Sequence, residues 1–196
     1  MLFRSYDFQG TTYHDAIITQ PVNASSAAVK GLEVQVVKDK LDFLPGPLAN
    51  LGVSLNGTWL DGHFNFIMGD GSTRRIGALF NQPDHIYNAS IYYSDGPANL
   101  RLAWNRIGAS PVSVDSQVGW RDIWADERDQ IDLQGSYYIK PWLQLTAQVQ
   151  NLTKSSFAAH LGPNRELLQT SYPVGRTIWR SEEHTSELQS RLHLVC

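Results

Sequence analysis

Cysteine is nearly missing from this chain: of 196 residues only Cys196 carries a thiol, and it stands at the last position. The body of the chain can therefore build neither a disulfide framework nor a cysteine metal site. Long hydrophobic runs are missing too. No stretch approaches the roughly 18 consecutive apolar residues of a membrane-spanning helix, and the opening MLFRSYDFQG lacks the apolar core of a secretory signal. A helical membrane protein is excluded. Charge of either sign is sparse, 16 Lys and Arg against 19 Asp and Glu for a net charge of -3, so nothing draws the chain toward nucleic acid. His14, His63, His85 and His160 are scattered without the tight spacing of a zinc site, and no metal or cofactor is assigned. Gly69-Asp70-Gly71-Ser72 lacks the lysine and helix of a phosphate loop and the further oxygen ligands of a calcium loop, and no nucleophile motif surrounds any serine. An enzyme is not expected.

What the chain does have is alternation at a period of two, the signature of a half-buried strand. Ile131, Leu133, Gly135, Tyr137 and Ile139 face one way while Asp132, Gln134, Ser136 and Tyr138 face the other. Leu143, Leu145, Ala147 and Val149 oppose Gln144, Thr146, Gln148 and Gln150, and the tight Lys140-Pro141-Trp142 connection joins the two runs as a hairpin. The same pattern marks Leu51 to Trp59, Tyr87 to Tyr93 and Leu100 to Trp104. Further strands are expected near Tyr13 to Thr19 and Leu32 to Leu41, with a terminal strand beginning near Tyr172. The fold class is all-β.

Connections alternate in length. Short ones fall at Phe43 to Asn50, Asp95 to Asn99 and Lys140 to Trp142, and long ones at Asp61 to Asp84, Gly108 to Arg128 and Thr153 to Ser171. A meander of strands with tight turns on one side and large loops on the other is the pattern of an outer-membrane barrel, where lipid offers no hydrogen bonds and every backbone group must pair with a neighbouring strand. Aromatics near strand ends (Trp59, Tyr92, Tyr93, Trp104, Tyr137, Tyr138 and Trp142) suit interfacial girdles. The expectation is a partial antiparallel transmembrane β-barrel, an open curved meander of about seven or eight strands, truncated at both ends, with an outward apolar band. A secreted β-sandwich binding module is the soluble alternative and would bury its apolar strand faces against a second sheet. A passive porin-like channel is the other. Sequons at Asn23, Asn56, Asn88 and Asn151 carry no meaning in a bacterial barrel, where Asn56 and Asn88 read as polar wall residues.

Several phrases carry a resemblance. Gln20-Pro21-Val22-Asn23, then Val29-Lys30-Gly31-Leu32-Glu33 and Asp42-Phe43-Leu44-Pro45-Gly46, resemble strand and turn segments near the C-termini of TonB-dependent receptors. Gln82-Pro83-Asp84-His85-Ile86-Tyr87-Asn88 and Val149-Gln150-Asn151-Leu152-Thr153 are similar to late-barrel phrases of that family. Tyr172-Pro173-Val174-Gly175-Arg176-Thr177 resembles its Tyr-Gly-Arg-Thr, with Pro173 and Val174 interposed. The resemblance spans roughly Thr19 to Trp179. It implies an energised importer of a scarce ligand such as a siderophore, vitamin or glycan in the outer membrane of a Gram-negative bacterium. Its partners would be outer-membrane lipid, the small-molecule ligand, and TonB through a plug and TonB box upstream of Met1. Residues 1–179 would be a C-terminal barrel fragment, unable to transport alone. After Trp179 the sequence departs from the family, and Arg180-Ser181-Glu182-Glu183-His184-Thr185-Ser186-Glu187-Leu188-Gln189-Ser190 resembles the translation of a sequencing adapter. Residues 180–196 are therefore read as a non-native tail, an amphipathic helix being the alternative. Ligand contacts are expected on the long loops, from His63, Phe64, Arg74 and Arg75 in the first and Trp120, Arg121 and Trp124 in the second, by stacking and charge-assisted hydrogen bonds.

Overall fold

A computed structural model describes residues 2–17 and 26–184. In chain order the strands are β1 (Leu2–Phe8), β2 (Thr11–Ile17), β3 (Ser26–Lys38), β4 (Leu51–Ile67), β5 (Thr73–Ile76), β6 (His85–Asp95), β7 (Ala98–Ile107), β8 (Ser110–Ser113), β9 (Ile123–Ala125), β10 (Arg128–Lys140), β11 (Leu143–Gln150), β12 (Phe157–Leu161), β13 (Leu167–Tyr172) and β14 (Thr177–His184). Two 3-10 turns, Gly46–Asn50 and Gly119–Arg121, interrupt the connections, and no α-helix occurs among the described residues. The chain is all-β, and every strand pair is antiparallel.

The main sheet runs in the order β14-β11-β10-β7-β6-β4-β3, with β5 paired to the far end of β4. It is a meander in which each strand follows its spatial neighbour. The β6–β7 turn is tight because Gly96 supplies a φ of 52°, and Pro97 cannot extend either strand. Connections at this end, with Pro141-Trp142 and residues 39–50, are short. Those at the other end are long and partly folded. Strands β8, β9, β12 and β13 from the second and third long connections form a separate four-stranded sheet in the order β13-β12-β9-β8, while β1 and β2 pair as a hairpin. Among the described residues β3 and β14 each pair on one side only, so the sheet is open and no barrel closes.

Several boundaries differ from expectation. β4 continues to Ile67 because β5 pairs with its extension, so His63 and Phe64 stand on a strand and not in a loop. Tyr172 ends β13, and the last strand starts at Thr177, after the Pro173 break. β2 and β3 are displaced toward the N-terminus from the expected spans; Ile18 and Thr19 lie outside the described residues, as do Gln20 to Asn23 and 185–196. Arg180 to His184 extend β14 along β11 as strand, with no helix.

Candidate functional site: a two-faced sheet and its loop cap

Directly opposed residues of an antiparallel pair share a face, so the pairing register fixes both surfaces of the main sheet. One row reads Val53, Ile91, Leu102, Leu133, Val149 and Ile178 from β4 to β14, and the next reads Val36, Leu55, Ala89, Trp104 and Ile131. On the reverse, Gln35, Asn56, Asn88, Asn105 and Gln130 form an unbroken amide row across five strands. Asn105 Nδ2 donates to Asn88 Oδ1 (2.5 Å), Asn88 Nδ2 to Asn56 Oδ1 (3.4 Å) and Asn56 Nδ2 to Glu33 Oε1 (2.7 Å). Asn56 and Asn88 were legible as residues of the polar strand face; their alignment with Gln35, Asn105 and Gln130 depends on register, which single-strand patterns do not carry. Among the described residues neither face is packed against another sheet. Leu55 is 48% exposed, Leu100 52% and Leu102 41%, which is far from what a folded core leaves bare.

The apolar band does not run straight across the strands. On β3 it comprises Leu32, Val34 and Val36, with Lys30 and Lys38 at its two ends on the same face. It covers Leu51 to Trp59 on β4, Tyr87 to Tyr93 on β6, Leu100 to Trp104 on β7 and Ile131 to Tyr137 on β10. On β11, outside the irregular register at Tyr138–Lys140, it covers Leu145 to Val149. Carried along the pairing onto β10, the band centres fall at positions 129, 131, 132, 133, 134 and 135. The centre thus slides six residues over five strand-to-strand steps, always in one direction. With a rise of about 3.4 Å per residue and about 4.8 Å between strands, that slide makes the band level when the strands tilt by about 40°.

Aromatic side chains border the band. Trp59 Nε1 donates to Tyr87 Oη (2.8 Å), their rings meet edge to face at 5.6 Å, and the Trp59 ring covers Gly57, where an added Cβ would lie 2.7 Å from it. Tyr93 and Tyr137 stand near the short-turn end on the same face.

The expected ligand-contact residues separate into different roles. Phe64 is buried at 3% exposure against Phe80, rings 4.7 Å apart, and is core. Arg74 makes a two-pronged ion pair with buried Asp122, both contacts 2.8 Å, and ties the first long connection to the second. Trp124 sits in β9 between β8 and β12, its Nε1 buried without a hydrogen-bond partner among the described residues. These three are turned into the structure. His63 and Arg75 do come together, with Ala28, Val29, Lys30 and Asp61, around an open cleft of about 180 Å³. That is below the usual size of a small-molecule pocket. Trp120 is 57% exposed, with the Arg121 guanidinium 5.0 Å from its ring centre, on the Gly119–Arg121 turn.

Sequence reading missed Asp122, Asp115 and the closure made by Asn151. Asp115 accepts the backbone N–H of Gln117 (2.8 Å) and of Val118 (2.9 Å), which hold its carboxyl below the ordinary value of 3.8. Asn151, 4% exposed and at φ 55°, bridges Ser155 and Val174 through its amide. Arg176 Nε donates to Leu152 O (2.9 Å), so the segments 149–153 and 172–177 meet in space. No group of three or more His, Cys, Asp or Glu suited to a metal ion occurs among the described residues. In comparisons with known proteins, no family model, no curated protein and no solved structure matches this chain.

Proposed function

We propose that this chain is a wall segment of an outer-membrane β-barrel, of the kind found in TonB-dependent receptors that import a scarce small molecule across the envelope of a Gram-negative bacterium. The observation that carries the reading is the one-directional slide of the apolar band. A lipid slab demands a level apolar belt on tilted strands, and a tilt of about 40° is typical of such barrels. Along β4, Leu51 to Trp59 at that tilt gives a belt about 20 Å high, near the roughly 25 Å such barrels present. The amide row is then lumen wall and the long connections form the extracellular rim, where Trp120, Arg121, His63 and Arg75 are accessible. The soluble β-sandwich reading is disfavoured because, among the described residues, no second sheet covers the apolar face. The receptor is favoured over a passive channel by the family-like phrases. On β14 the alternation breaks: Arg180 and Glu182 fall on the apolar face beside Ala147 and Leu145, in keeping with a foreign tail.

The test is fluorescence quenching by brominated acyl chains in vesicles holding the full chain, with one tryptophan at a time. Tryptophan at 104 on the apolar face should be quenched strongly. In an Ala103→Trp variant lacking Trp104, the probe faces the other way and should be quenched little. Equal quenching at the two positions overturns the proposal. Sequencing the source DNA across both ends of the frame tests the rest: an upstream plug, a downstream strand ending in an aromatic residue, and loss of 180–196 are the expected outcome.

A further inference from the structure

Asp122 is among the most buried charged side chains described, at 3% exposure, and its bonds reach all three long connections. Its carboxylate takes Arg74 from the first connection through both oxygens. Within the second, its Oδ1 also accepts the Asp115 N–H (2.9 Å). Its backbone carbonyl accepts the N–H of Gly162 from the third (2.7 Å). A buried carboxylate with this many donors is costly to strand, because removing one partner leaves charge without compensation. Secondary ties follow the same route. Gly69 N–H bonds Ser116 O (2.6 Å), Asn81 N–H bonds Pro111 O (2.9 Å), and β9 pairs with β12. Gly119 leaves the space that Arg74 needs: an added Cβ there would run into Arg74 Nη1.

We infer that the three long connections are one conformational body with Asp122 as its keystone, so the rim they build opens and closes as a unit and not loop by loop. Trp120 and Arg121 are then presented from a preformed platform, immediately before the keystone in sequence. The inference does not depend on what covers the apolar face of the main sheet.

The experiment is hydrogen exchange of the full chain in detergent micelles, followed by mass spectrometry over peptides 68–76, 114–122 and 158–166 across a urea series. Segments of one cooperative unit open with a common free energy and a common denaturant dependence. The expected result is one shared opening transition for the three peptides; three separate transitions overturn the inference. A variant perturbs the keystone's surroundings without replacing Asp122. Gly119→Ala displaces Arg74 and should accelerate exchange in all three peptides by a similar factor, about tenfold or more for a lost buried charge-assisted bond. Acceleration confined to 114–122 also overturns the inference. The urea series on the unaltered chain decides the matter should the variant fail to fold.

Discussion

Replacing Asn151 by alanine should loosen the start of β14 more than its size suggests. The side chain donates from Nδ2 to Val174 O (2.7 Å) and Ser155 O (3.1 Å) and accepts the Ser155 N–H (2.8 Å). At about 1 kcal/mol for each bond in a buried site, alanine forfeits about 3 kcal/mol and leaves two carbonyls and one N–H unpaired. The backbone adds to this, since φ is 55° and alanine tolerates that region about 1 kcal/mol less well than asparagine. The expected loss is about 3–5 kcal/mol, read as at least a hundredfold faster amide exchange over 174–178, where β14 joins β11. Asn151→Gly removes the backbone penalty alone and should be milder by about 1 kcal/mol. Asn151→Asp keeps the acceptor for Ser155 but turns an acceptor toward Val174, and should behave like alanine at neutral pH. Exchange at 174–178 within twofold of the parent in Asn151→Ala, or a glycine variant no milder than alanine, would refute this account.

Other outcomes follow from the same geometry. Leu102→Arg, at the centre of the apolar band, should cost about 2–4 kcal/mol in urea unfolding from vesicles, while Ala103→Arg on the amide-bearing face should cost under about 1. Gly52→Val should prevent normal folding as judged by near-ultraviolet dichroism, because an added Cβ runs into the Tyr92 ring and lies 2.5 Å from the Asp39 carbonyl; Gly57→Ala, opposed only by the Trp59 side chain, should fold with a lower Tm. The lowered pKa of Asp115, caused first by the Val118 N–H and then by that of Gln117, means its carboxylate holds the loop fully above pH 3.8 and releases it as pH falls through the depressed value. Exchange at Gln117 and Val118 should therefore rise, relative to Asp115→Asn, only below pH 3.8.

The central strands of the main sheet, β4, β6, β7, β10 and β11, and their faces were legible because a period of two needs only neighbouring residues, and Leu133, Gly135 and Tyr137 declare their side without help from any partner. The slide of the band was not, since it exists only between strands. The long connections were legible as long, but their internal strands were too short to show a period: β9 has three residues and β8 four. That is why Arg74 and Trp124 read as ligand contacts. An arginine in a loop looks available until an aspartate 48 positions later takes both its terminal nitrogens. Asp122 itself, between Arg121 and Ile123, has nothing in its local pattern to mark it.

Seven of the main sheet's eight strands follow one another across it, β5 lying off that path, and their odd number has a consequence. In an all-antiparallel meander the first and seventh strands point the same way, so β3 and β14 are codirectional. Bent until they touched, they would meet as a parallel pair, as would β14 of one copy laid beside β3 of the next in the same orientation. Adding β1 and β2 changes the count by two and leaves the mismatch intact. An antiparallel ring that contains this sheet must therefore recruit an odd number of further strands to it.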